Sequence, residues 1–294
     1  MNRIVAIVMV SCGVLGCAST GRRADDSVTI PFTMAHGLIF LDLYMPSNQP
    51  VLALLDTGAS ASAIDPRCAR SLPTLETSEV VGTTGTLGVQ LVMIDGLRLG
   101  SRRLPPLRAT RRDLDGLLAP DGRSVGMILG SDALSNLVVT LDFATSQIGV
   151  AGQPVADLPE GVPMILDNGI PAIEGNIGGI GVWLRIDTGA SLFETADVYV
   201  NIPTRIWKAL RSRHEALTPT THFKGTRADG QSVDLPVAPV SEARVGPMEL
   251  DHVFVIVQPE TGYFADPEAK GFVSNNFLRR FGRVTLDYRA GRLR

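Results

Sequence analysis

Apolar positions in this chain come in short runs or strict alternation, and seldom at helical spacing. VLALL at 51–55, VWLRI at 182–186 and VFVIV at 253–257 read as strands, as does QLVMIDGLRLG at 90–100. VVTLDF at 138–143 and RVTLDY at 283–288 alternate inward and outward positions. Helical signals are few. TRIWKALRSRHEAL predicts a helix over 204–217, with Ile206, Trp207, Leu210 and Leu217 on one stripe. Asp65-Pro66 supplies an N-cap and first-turn pair before RCARSL, which predicts a second helix start. The 30 glycines and 19 prolines exceed average usage and call for many turns, which suits short strands. The pattern predicts an all-β protein.

The pattern is written twice. LLDTGAS (54–60) returns as RIDTGAS (185–191), and IDPRCARSL (64–72) as IPTRIWKAL (202–210). LRLG (97–100) returns as ARVG (243–246), and VVTLDF (138–143) as RVTLDY (283–288). The order never changes, and the drift in spacing is that of loop insertions, so the expectation is an internal duplication. It divides the chain into an N-terminal lobe at 27–152, a polar link at 153–161 and a C-terminal lobe at 162–294.

Duplicated lobes facing each other bring equivalent residues together. Here those are Asp56 and Asp187, each at the end of an apolar strand and each followed by Thr-Gly-Ala-Ser. Glycine after aspartate allows a sharp turn and close backbone approach, while nearby hydroxyls can orient a carboxylate. Two carboxylates held close cannot both ionise cheaply, so they share a proton. One then serves as base on a water and the other as acid toward a carbonyl oxygen. A proton-sharing pair of this kind is the known chemistry of aspartic proteases.

The chain resembles the pepsin-like and retropepsin-like members of that family. DTGAS at Asp56 and Asp187 carries the resemblance, together with the downstream apolar-apolar-Gly segment Ile128-Leu129-Gly130. It implies a bilobed pepsin-like acid protease fold with a cleft between two homologous β lobes. It also implies an endopeptidase with Asp56 and Asp187 as catalytic dyad, needing no metal or cofactor. Thr57 and Thr188 would cross-link the active loops, Gly58 and Gly189 would permit their turns, and Ala59, Ser60, Ala190 and Ser191 would complete them. A flap is expected at Gly82, Thr83, Thr84 and Gly85, with a counterpart at 224–231. The substrate would be an extended peptide or protein segment, and one chain suffices for the site. Two departures stand out. Ala59 and Ala190 replace a frequent hydroxyl residue, which raises the dyad's expected pKa values and predicts activity at mildly acidic pH. Ser274, in FVSNNFL, replaces the second apolar-apolar-Gly glycine. That substitution feeds the alternative, a catalytically silent pepsin-fold lipoprotein that binds peptides or partners without cutting them.

The N-terminus, MNRIVAIVMVSCGVLGC, has a positive start at Arg3 and an apolar run too short to span a bilayer, which reads as a signal peptide over 1–16. Val14-Leu15-Gly16-Cys17 looks like a lipobox. It implies a lipid on Cys17, a tether over 17–26 and a place in the bacterial cell envelope, on the periplasmic face or outer membrane if the host is Gram-negative. Cys68 is then the one cysteine left, expected as a small buried apolar residue. Net charge is −3 without a basic block, so nothing argues for nucleic acid. The four histidines show no metal spacing, and no metal is expected. GNIGGIG at 175–181 is no phosphate loop and predicts a hairpin turn. Ser60 and Ser62 read as turn or support residues. Arg279, Arg280 and Arg283 read as a solvated face.

Overall fold

The computed structural model describes residues 27–82, 85–153, 155, 158–190, 197–226 and 232–294. The expected signal peptide, Cys17 and the tether lie outside them, as do Thr83 and Thr84, Ser191, and 227–231 at the tip of the expected second flap. Among the described residues no helix is long and apolar enough to cross a membrane.

The fold is mostly β. Among the described residues, one ten-stranded sheet draws on the chain from Thr33 to Leu129. A thirteen-stranded sheet takes the strands from Val162 onward, together with Val28–Pro31, Val138–Asp142 and Gln147–Ala151. The join is the antiparallel pair of Val138–Asp142 with Arg283–Asp287, the two segments matched in sequence. Its register sets Thr140 opposite Thr285, the corresponding residue, with the hydroxyls 2.9 Å apart. Val139, Leu141, Val284 and Leu286 of this pair are buried in one apolar cluster that runs from Phe32 to Leu293. Each fully buried aliphatic of this size contributes about 1.5–3 kcal/mol. The two parts of the chain therefore share a core.

The strand expectations find their physical reason in the core. Pro50–Leu55 is buried from Val51 to Leu55, and Met127–Leu129 beside it is buried throughout, which explains the unbroken apolar runs. GNIGGIG forms the expected hairpin: Ile177 pairs with Ile180, and Gly178 and Gly179 turn between them at φ +54° and +80°. Arg279, Arg280 and Arg283 are exposed as expected.

Two helix expectations need correction. The helix begins at Thr204 but stops at Arg213. His214 leaves helical geometry (φ −127°, ψ 77°), and its ring bonds the Gly178 carbonyl at 2.9 Å. Trp207 and Leu210 are buried, while Leu217 reaches the core from beyond the helix. No helix follows Asp65-Pro66. Asp65 Oδ1 does accept the cap bond from the Arg67 N–H at 2.8 Å, as well as the Arg67 guanidinium, while Oδ2 accepts from the Leu114 N–H. One turn closes through Cys68 N–H to Asp65 C=O at 2.9 Å, and the chain does not continue it into a helix. Cys68 is partly buried against the core and desolvation raises its thiol pKa, in keeping with a packing role.

Candidate active site

Each aspartate leaves its strand at the same kind of junction. Pro50–Leu55 runs parallel to Met127–Leu129, and the Asp56 N–H continues the ladder to the Leu129 carbonyl at 3.0 Å. Ile180–Ile186 runs parallel to Gly271–Val273, and the Asp187 N–H bonds the Val273 carbonyl at 2.9 Å. Both carboxylates then accept from their own loops: Asp56 Oδ1 from the Ala59 N–H, and Asp187 Oδ1 from the Gly189 N–H, each at 3.0 Å.

The threonines bind the loops to each other. Thr57 N–H donates to Thr188 Oγ1 at 3.0 Å, and Thr188 N–H to Thr57 Oγ1 at 3.1 Å. Each hydroxyl donates onward to the strand of the opposite aspartate, Thr57 to the Ile186 carbonyl at 2.6 Å and Thr188 to the Leu55 carbonyl at 2.9 Å. Both threonines are fully buried. Such bonds contribute about 0.5–1.5 kcal/mol each, and an unmade one costs more, so the four hold the loops in a single register.

That register sets each carboxyl against the glycine of the opposite loop, close enough for the two to interact. A Cβ on Gly58 would overlap the Asp187 carboxyl, and one on Gly189 the Asp56 carboxyl. The glycines are thus required by close approach and not by backbone conformation. Desolvation raises the pKa of both aspartates, and the charge of Asp56 raises Asp187 further, well above 3.8. Loop amides and, at Asp56, the Arg112 charge oppose the rise without cancelling it. Both residues keep some surface open, so the shift reflects protein packed around the carboxyls and not sealing from water. The pair titrates as a unit, one proton being held well above the ordinary carboxylate range.

Among the other expected site residues, Ala59 anchors the first loop, and Ser60 is exposed. Gly82 and Gly85 pair at the end of the hairpin Thr74–Gly82 and Gly85–Ile94, which packs against the turn Gly262–Ala265 from the far part of the chain. Ser274 has φ −115°, ordinary for any residue, and its hydroxyl lies 2.9 Å from Asn276 Oδ1. Its counterpart Gly130 is also extended (φ −89°), but a Cβ there would crowd the Ala59 carbonyl at 2.9 Å.

Sequence reasoning missed a supporting layer. Ser131 Oγ donates to the Thr57 carbonyl at 2.7 Å, and Asn275 Nδ2 to the Thr188 carbonyl at 2.8 Å. Asn275 also reaches the Gly37 carbonyl at 2.8 Å. Ser62, read only as support, bonds Asp132 Oδ1 at 2.7 Å and accepts from the Gly130 N–H at 3.0 Å. The available signal was position: Ser131 and Asn275 each follow directly on the apolar-apolar-Gly segment or its Ser274 variant.

Asp65, Asp113 and Asp115 cluster elsewhere, but Arg67 supplies their positive charge, 2.7 Å from Asp65 and 2.9 Å from Asp115. No curated protein matches the chain. Residues 44–133 match the family model described as aspartyl protease, a span that holds Asp56 and Gly130 and ends before Asp187.

Proposed function

We propose that the chain is an aspartic endopeptidase of two duplicated, pepsin-like lobes, with Asp56 and Asp187 as its dyad. The observation that carries this reading is the reciprocal Thr57–Thr188 pair of hydrogen bonds, which sets two carboxyls from segments 131 residues apart within reach of each other. The Thr140–Thr285 pairing supports the duplication, since corresponding residues face each other there as well. A water between the carboxyls loses a proton to the ionised one and attacks the peptide carbonyl carbon. The protonated one gives its proton to the carbonyl oxygen, forming a neutral diol. Collapse of the diol breaks the C–N bond as a proton passes to the amine. Peptide substrates lie extended beneath the Thr74–Gly82 and Gly85–Ile94 hairpin, bonded like an added strand, and a single chain supplies the site.

The raised pKa values give this reading a pH signature. Catalysis needs one carboxyl ionised and one protonated. With both shifted upward, the rising limb of kcat/KM lies above the ordinary value of 3.8 and the falling limb higher still. Cleavage of a peptide library by the full chain from pH 3 to 8 should peak above pH 3.8. A maximum at or below about pH 3 would contradict the packing argument, and no cleavage at any pH by folded protein would favour the silent binding module.

The same proposal places the protein in the bacterial envelope, exported and held by a lipid on Cys17, on the strength of the pattern Arg3, Ile4 to Gly16 and Cys17. Mass spectrometry of membrane-extracted protein should find an N-terminal Cys17 carrying diacylglycerol. An unmodified Cys17 on the mature protein would sink the anchor.

A further inference from the structure

We propose that Tyr199, Phe223 and Phe254 form a subsite for an aromatic or large aliphatic side chain of the peptide, about three residues from the scissile bond. The inference rests on the peptidase reading and adds a substrate feature to it.

Asp187 shares a face of its sheet with Tyr199 and Phe254. Paired residues on neighbouring strands share a face, and so do alternate residues along a strand. Arg185 pairs with Phe272, Phe272 with Asn201, and Asn201 with Ile256. Tyr199 and Phe254, a further pair, lie two residues from Asn201 and Ile256, on the same face. Asp187, two residues beyond Arg185, belongs to that face too. The opposite face holds Ile186, Val200, Val255 and Val273, all fully buried. The Asp187 face is instead the one toward which the first hairpin reaches. The turn Gly262–Ala265 packs on it, with Phe264 6.1 Å from Phe272 and the Tyr263 ring 4.0 Å from the Arg185 guanidinium, and the hairpin rests against that turn.

Distance follows from the register. One step past the Val200–Val273 pair, Tyr199 stands level with Ser274, which stands level with Asp187. Two strand spacings of about 4.8 Å make roughly 10 Å, the span of about three extended residues. There the rings of Tyr199 and Phe254 stack at 5.2 Å, and Phe223 closes on Tyr199 at 5.4 Å. Leu235, Val237 and Ile256 form their floor. The three rings stay only half-buried, so apolar surface remains open beside the dyad.

The fold does not require these rings. Ile64 pairs with Arg111 as Ile202 pairs with Val257. Counting three residues back from each, which passes the start of the short strand Ala63–Ile64, matches Ala61 to Tyr199 in the duplication and Arg108 to Phe254. Arg108 makes an exposed ion pair with Glu76. The first half thus closes the same place with a small residue and a charge pair, and the aromatic platform is a feature of one side of the cleft. Stacked or edge-on, such rings favour another ring or a branched aliphatic group.

Two experiments on the full chain decide it. In the first, wild-type protein cleaves a randomised decapeptide library, and cut sites should be enriched in Phe, Tyr, Trp, Leu or Ile two to three residues from the scissile bond on one side. In the second, immobilised Asp56→Asn protein selects peptides from the same library without turnover. Bound peptides should show the same enrichment, and Tyr199→Thr with Phe254→Thr should lower it about ten-fold, the scale of apolar pocket discrimination, while Phe254→Leu keeps it. If the double variant loses its cooperative melt, Phe223→Thr on the outermost strand carries the comparison. Bound or cleaved pools without that enrichment, or enrichment surviving the threonine variants, overturn the subsite. Aromatic-selective binding without any cleavage by wild type would uphold the subsite and sink the peptidase reading instead.

Discussion

Asp56→Asn and Asp187→Asn each lower kcat for peptide hydrolysis by about 10³–10⁴-fold, at the upper end of what a positioned acid or base contributes, with KM little changed. In the proposed mechanism the two roles belong to one proton-sharing unit, so the double variant is expected to be no worse than either single one. Stability moves the other way. Packing holds both carboxyls above their ordinary pKa, so the native state favours the protonated form. Its contribution is fully present below the unfolded value of 3.8 and is lost as pH rises through the folded values. Each unit of upward shift corresponds to about 1.4 kcal/mol. Asparagine never ionises, so Asp187→Asn should melt above wild type at pH 7, and the gap should shrink toward pH 4. Thermal unfolding at the two pH values reads the sign. Wild-type turnover in either asparagine variant would remove the dyad, and a gap that widens toward acid would contradict the raised pKa values.

Much of this site was legible because its determinants are local. Asp-Thr-Gly after an apolar run encodes a strand end, a turn and an acid within a few residues, and it recurs. The Gly178-Gly179 hairpin was legible for the same reason, since two glycines between paired strands admit few other geometries. What stayed hidden depends on partners far along the chain. The Asp65 carboxylate divides its oxygens between the cap bond to the Arg67 amide and the Leu114 amide 49 residues on. Ser131 and Asn275 support their threonine carbonyls only because two parallel strand pairs deliver them there. The face that joins Asp187 to Tyr199 and Phe254 is a matter of register across four strands. Periodicity within any one of them does not contain it.

Gly58→Ala and Gly189→Ala test how tightly the two loops are fitted. Neither glycine has a backbone conformation that excludes alanine, so the effect must come from contact. The added methyl of Gly58→Ala would overlap the Asp187 carboxyl, and that of Gly189→Ala the Asp56 carboxyl. The loops cannot separate without breaking the Thr57–Thr188 bonds beneath them, so the carboxyl itself must move. Overpacking of this kind costs about 1–3 kcal/mol, and a displacement of about 1 Å at a reacting group costs on the order of 10²-fold in rate. Each variant is therefore expected to fold, to melt lower, and to lose at least that factor in kcat. Gly181→Ala is the control, because a methyl there meets nothing within 4 Å and surface changes usually stay within about 0.5 kcal/mol. The two site variants should also narrow the pH–rate profile, because separated carboxyls repel less and their two apparent pKa values draw together. If Gly58→Ala kept wild-type kcat and profile, the carboxyls would not need their present contact, and the shared-proton mechanism would lose its geometric basis.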